Sequence, residues 1–180
     1  MIALTNVPRA MRLAPVLLRL IAAAAWLAGG VAAAAEDPPA ERSARLEAPH
    51  AVYFEVLGKG GVYGVGYDWA FADRLAVGGT ASFVVIDDQR VVTLAPYVSA
   101  YPFAGRSSAL LVQFGAEFVH VSVPSTVPGF SGTTSTGLGG QFSVGYEFRS
   151  RFLFRFLATG VFGRGGFRPW AGIGLGGAFR

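Results

Sequence analysis

The stretch TSTGLGGQFSVGYEFRSRFLFRFLATGVF, residues 134–162, decides how the chain is read. In its first half Leu138, Phe142, Val144, Tyr146 and Phe148 share one parity, with Gly140 among them. Gly137, Gly139, Gln141, Ser143, Gly145 and Glu147 share the other. After Arg149-Ser150-Arg151 the alternation resumes: Phe152, Phe154, Phe156, Ala158 and Phe162 fall on one face, Arg155 and Thr159 on the opposite one. Successive side chains of a strand point to opposite faces, so the pattern is two strands joined by a charged turn. One face of each is greasy and one polar. The greasy face is too aromatic and too continuous for water, and we read it as facing lipid in a small closed barrel.

Composition agrees with that reading. The chain has 180 residues, is 52% hydrophobic and 14% charged, with mean hydropathy +0.46. Past the N-terminal segment no window supplies the roughly 20 consecutive apolar residues that a spanning helix needs. Hydrophobicity without a helical span fits a barrel, whose apolar residues come at every second position. Cysteine is absent, which excludes disulfides, thiolate metal sites and a lipidated N-terminal Cys.

The first 35 residues read as an export signal. Arg9, Arg12 and Arg19 make a basic start, Leu20 to Ala28 an apolar core, and Ala33-Ala34-Ala35 a small-residue cleavage site before Glu36. Met11, followed by Arg12, would open a leader of more ordinary length. The full chain carries 15 Lys+Arg and 11 Asp+Glu, net +4. Removing the three leader arginines leaves 15 − 3 = 12 against 11, or +1. The high pI therefore belongs mostly to the leader, and there is no basic patch for nucleic acid. Residues 36–49, with Pro38-Pro39 and mixed charges, read as a flexible periplasmic linker.

Residues 50–180 divide into eight strands, near 51–57, 62–71, 75–86, 90–101, 109–121, 134–148, 152–162 and 169–179. Val52, Phe54, Val56, Tyr63, Val65, Tyr67, Trp69, Phe71, Leu110, Phe118, Ile173 and Leu175 point outward. Pro96 lacks a ladder donor and predicts an edge or bulge in the fourth strand. Eight strands put both ends of the chain on one side, with the turns at 72–74, 103–108 and 149–151. The opposite side carries 58–61, 87–89, 122–133 and 163–168. The expected fold is all-β: an eight-stranded antiparallel up-and-down transmembrane β-barrel.

Magnitudes choose the lipid-facing side. An Arg on the lipid face near mid-membrane costs roughly 2–4 kcal/mol. Arg155 lies mid-strand, in the same class of positions as Glu55, Asp68, Gln113, Glu117, Gln141 and Glu147, so these seven form a polar cluster in the lumen. A soluble barrel would need the reverse arrangement. Its interior would be stacked with Phe, and an eight-stranded barrel has room for little more than its own side chains.

With those strands in place the chain resembles the small bacterial outer-membrane β-barrels, the group that includes the OmpA-type and OmpX-type barrels. The resemblance covers about residues 50–180. Phe54-Glu55-Val56-Leu57-Gly58-Lys59-Gly60-Gly61-Val62-Tyr63, the strand Ser135–Phe148 and Pro169-Trp170-Ala171-Gly172-Ile173-Gly174-Leu175-Gly176 carry it within a recurrent set of hypothetical barrel proteins. It implies the bacterial outer membrane, contact with outer-membrane lipid and lipopolysaccharide, and insertion by the barrel-assembly machinery as a monomer. Such families usually end in an aromatic residue. Phe179 has the right parity, but Arg180 follows it.

Candidate chemistry is sparse. His120 and Ser122 sit two apart on the outward face near the loop rim. Outer-membrane lipid A deacylases are similar in bearing a His-x-Ser pair, with a Glu orienting the His. A serine esterase needs that third group, and here no acid follows until Glu147, which points inward near the opposite rim. Glu147 and Arg155 flank the 149–151 turn and are expected to meet diagonally as a lumen ion pair. Glu55, Asp68 and Glu117 make the lumen acidic on balance unless Lys59, Arg90 or Arg164 reach in. Gly172, Gly174 and Gly176 alternate at strand spacing with no helix to follow, so they form no phosphate cradle. They are expected to make room for Tyr97, Tyr101 or Trp170. Tyr63, Trp69, Phe71 and Phe167 suit interfacial aromatic girdles. No metal-ligand cluster and no cofactor motif stands out. The expected role is structural or surface-interacting and non-enzymatic, with a lipid A-modifying esterase at His120/Ser122 or a narrow channel as alternatives.

Overall fold

A computed structural model describes residues 43–59, 61–86, 89–125, 131–163 and 166–180. The leader, the first half of the expected linker (36–42) and Arg164 lie outside the described residues. A short helix, α1 (Ala44–Glu47), precedes eight strands: β1 (His50–Gly58), β2 (Gly61–Ala72), β3 (Leu75–Ile86), β4 (Gln89–Ala104), β5 (Ser108–Val123), β6 (Thr133–Arg149), β7 (Phe152–Gly163) and β8 (Gly166–Phe179). Each pairs antiparallel with the next. β8 returns to β1, from Val56↔Ile173 to His50↔Phe179, and closes the barrel. Closure leaves no sheet edge around the wall, which solves the problem of unpaired backbone in an apolar surrounding.

The parity read from the sequence is the parity of the wall. Phe54, Tyr67, Phe83, Leu94, Phe156 and Leu175 are exposed on the outside, each near half of its full area, while Tyr53, Asp68, Tyr97, Gln113, Ser143 and Arg155 are buried inside. Outward rings meet across strands: Phe114 lies 4.9 Å from Phe142, and Phe162 lies 5.0 Å from Phe167. No described helix is long and apolar enough to cross a membrane.

Several boundaries move. The strands at the loop end are longer than expected, so that Gln89, Ser122, Thr133 and residues 166–168 belong to the sheet. Pro96 marks neither an edge nor a bulge. It sits in a strand with a neighbour on each side, opposite Gly79 of β3. Towards β5 the pairing skips from Leu94↔Phe118 to Tyr97↔Gly115 in unchanged register, and the irregularity comes later, between Ala100 and Phe103. The expected turn 149–151 shortens, because Arg149 still pairs with Leu153 and points into the barrel with no exposure.

Residues 43–49, read as part of a linker, form a strap across the barrel end where β1 begins and β8 finishes. The Ala44 N–H donates to Arg106 O at 2.9 Å, the Ser43 hydroxyl to Asp73 Oδ1 at 2.6 Å, and the Ala70 N–H to Pro49 O at 2.8 Å. Arg180 donates to Glu47 O at 3.0 Å. The strap is thus tied to the β2–β3 and β4–β5 turns and to the C-terminus.

Candidate functional site

A subset of the inward-pointing residues, charged and hydroxyl-bearing, makes a polar network along the lumen. At its centre Arg155 of β7 lies directly opposite Glu147 of β6, not diagonal to it as the sequence suggests. Arg155 Nε donates to Glu147 Oε2 at 2.7 Å, and Nη2 reaches both that oxygen and Asp68 Oδ2 of β2. Tyr97 donates to the other Asp68 oxygen. The Tyr97 hydroxyl meets that of Tyr53, which meets Thr80 Oγ1 at 3.1 Å, and Thr80 donates to Glu55 Oε2 at 3.2 Å. The run from β7 to β1 therefore joins the Arg155–Asp68 pair to Glu55 through three successive hydroxyls. Every member is fully or nearly fully buried, a setting where ions persist only when paired.

Each end of the network is closed by a cation carried on a segment outside the wall. At the loop end the Lys59 N–H donates to Glu55 Oε1 at 2.9 Å, and its Nζ lies 3.4 Å from the same atom. The chain can double back there because Leu57 adopts a left-handed conformation, φ 52°, which is strained for a residue with a Cβ. At the terminus end Arg45 of α1 inserts into the barrel. Its Nε donates to Glu147 Oε1 at 3.2 Å, its Nη1 to Gly105 O at 3.3 Å, and its guanidinium stacks 4.5 Å from the centre of the Tyr101 ring. Tyr101 also donates to Glu147 Oε2 at 3.2 Å.

The lumen is not acidic on balance. Among the described buried residues Arg45, Lys59, Arg149 and Arg155 face Glu55, Asp68 and Glu147, four cations to three carboxylates. Lys59 does reach in, whereas Arg90 is exposed. Of the seven residues the sequence placed in the cluster, Glu55, Asp68, Glu147 and Arg155 come together. Gln113 donates instead to Ser99 at 2.9 Å. Gln141 is buried, and its amide has no hydrogen-bond partner among the described residues. Glu117 is partly buried further towards the loop end, where the charge of Arg168 acts on it. The members that the sequence reading missed are Arg45, hidden in an apparent linker, and Arg149, hidden in an apparent turn.

Small residues make this filling fit. A Cβ at Gly66 would collide with the Tyr53 ring, and one at Gly78 with Asp68 and the Tyr97 hydroxyl. The glycine row of β8 also serves Tyr53: Gly174 and Gly176 lie against it, and Gly172 against the backbone of Leu57 and Gly58. Trp170, expected inside, is exposed at the loop end.

His120 and Ser122 stand opposite Thr136 and Thr134 on β6, and His120 Nδ1 lies 3.0 Å from the Thr136 hydroxyl. A threonine thus occupies the place where an esterase would put its orienting acid, and Glu147 lies inside the barrel. Among the described residues no group of three or more His, Cys, Asp or Glu is placed to hold a metal.

A closed wall of eight antiparallel strands, apolar outside and ion-paired inside, defines the class: a small eight-stranded outer-membrane-type β-barrel. The chain is similar to the N-terminal β-barrel domain of OprF from Pseudomonas aeruginosa, with 12% identity over 72% of this chain and 95% of that one, TM-score 0.56. It is also matched to Ail, the attachment invasion locus protein of Yersinia pestis, with 12% identity over 72% and 93%, TM-score 0.49. No protein-family model and no curated protein matches the chain.

Proposed function

We propose that the chain is an integral protein of the bacterial outer membrane, exported by a leader cleaved after Ala35, with a structural or surface-interacting role and no catalysis. The observation that carries this reading is the pairing of a continuous apolar exterior with an interior filled by its own side chains. Exposed Phe, Tyr, Trp, Val and Leu on every strand would leave a soluble protein with far more apolar surface than monomers carry. A lumen occupied by Tyr53, Tyr97, Tyr101 and Arg155 leaves the loop end as the part offered to partners. There the β5–β6 hairpin projects, because residues 133–139 of β6 run past the last β7 pair, Gly140↔Phe162, and are almost all exposed. On this reading the wall meets outer-membrane lipid and lipopolysaccharide, the assembly machinery inserts it, and it works as a monomer.

Fractionation tests the proposal. The mature chain should sediment with the outer membrane and, folded in detergent, should migrate faster before boiling than after. A soluble periplasmic band with identical mobility in both lanes would reject it.

A further inference from the structure

We propose that the terminus end of the barrel binds one small monovalent anion, of the size of chloride, between Arg149 and Arg45 beneath the strap formed by residues 43–49. Arg149 points inward from β6 with no exposed surface. Its Nη2 donates to Ala48 O at 2.8 Å and to Pro49 O at 2.6 Å, which places the guanidinium directly under the strap. Among the described residues its buried Nε and Nη1 have no partner, and neither does Nη2 of Arg45. Both guanidiniums belong to the same end of the lumen: Arg45 bonds to Glu147, and Arg149 follows Glu147 by two residues on the same inward face.

Charge supplies the second argument. Among the described residues in this half of the lumen Arg45, Arg149 and Arg155 face Asp68 and Glu147, three against two. Arg155 takes both carboxylates and Arg45 shares Glu147. Among the described residues the Arg149 side chain donates only to carbonyl oxygens, those of Ala48 and Pro49. A buried lysine or carboxylate can escape such a deficit by changing its protonation, but a guanidinium holds its proton at any working pH. Water would give the orphan N–H groups an acceptor but no charge. One monovalent anion gives both. A divalent oxoanion would overshoot the single excess charge.

The test uses the full mature chain folded in detergent, with sodium chloride exchanged for sodium gluconate at constant ionic strength. The thermal transition should rise saturably with chloride, by several degrees. A concentration ten times the dissociation constant should raise the folded-to-unfolded ratio about tenfold. Arg149→Gln, which keeps donors but removes the charge, should melt higher than the native chain in gluconate and lose the chloride dependence. Equal transitions in the two salts, or a full chloride shift in Arg149→Gln, would overturn the proposal. Should that variant fail to fold, a bromide-soaked crystal of the native chain decides. An anomalous peak within hydrogen-bond reach of Arg149 Nε and Nη1 is expected, and ordered water alone at that position would refute the site.

Discussion

Replacing Arg155 with Met would leave Asp68 and Glu147 buried side by side with no shared cation. Removing one partner of a buried ion pair typically costs about 3–5 kcal/mol, and here Asp68 loses its cation while Glu147 keeps only Arg45. Urea unfolding in detergent should show a loss of at least that size, and Arg155→Lys should recover only part of it, because an ammonium cannot span two acids in the fork geometry. An Arg155→Met chain as stable as the native one would mean that the pairs contribute nothing. A packing prediction belongs at the same scale. Gly66→Ala should cost about 1–3 kcal/mol through overpacking against Tyr53, and in Tyr53→Leu the same change should cost much less. Additive losses in that double-mutant cycle would show that the contact is not the cause.

Among the elements, the strap and the strands were unequally legible. The strands announce themselves because lipid outside and a narrow lumen inside demand opposite chemistry at alternate positions, as Phe152, Phe154 and Phe156 show against Leu153, Arg155 and Leu157. Leu153 and Leu157 also show where that logic stops: the lumen is not uniformly polar, and apolar residues line its terminus end with Ala70, Ala76 and Leu111. The strap has no such signature. A four-residue helix carries no periodicity, and Ser43-Ala44-Arg45-Leu46-Glu47 has the composition of a solvated linker. Nothing in the local sequence says that Arg45 ends inside a barrel, since the interaction spans 102 residues to Glu147. Arg149 was obscured by its neighbours, because a run of Arg-Ser-Arg is what a turn looks like. The difference between the two cations on Glu147 gives a third prediction. Arg45→Ala leaves that carboxylate paired with Arg155, so it should cost about 1–3 kcal/mol, clearly less than Arg155→Met. Limited proteolysis should also cut the Arg45→Ala chain before His50 faster than the native chain. Equal cleavage would mean that Arg45 does not hold the strap.

For the whole molecule, sealing and lipid contact are one claim with two faces. A lumen closed at one end by Lys59 on Glu55 and at the other by Arg45 on Glu147 should pass no steady ionic current in a planar bilayer, and stepwise conductance from the pure folded chain would show that the filling is not tight. The most direct test follows from the absence of cysteine, which allows single Cys substitutions along β7 from 152 to 162, each carrying a nitroxide label, in lipid vesicles. Accessibility to oxygen dissolved in the bilayer should peak at 152, 154, 156 and 158 and fall at 153, 155, 157 and 159. Peaks at the second set, or no period of two, would contradict a wall that turns its aromatic side to acyl chains.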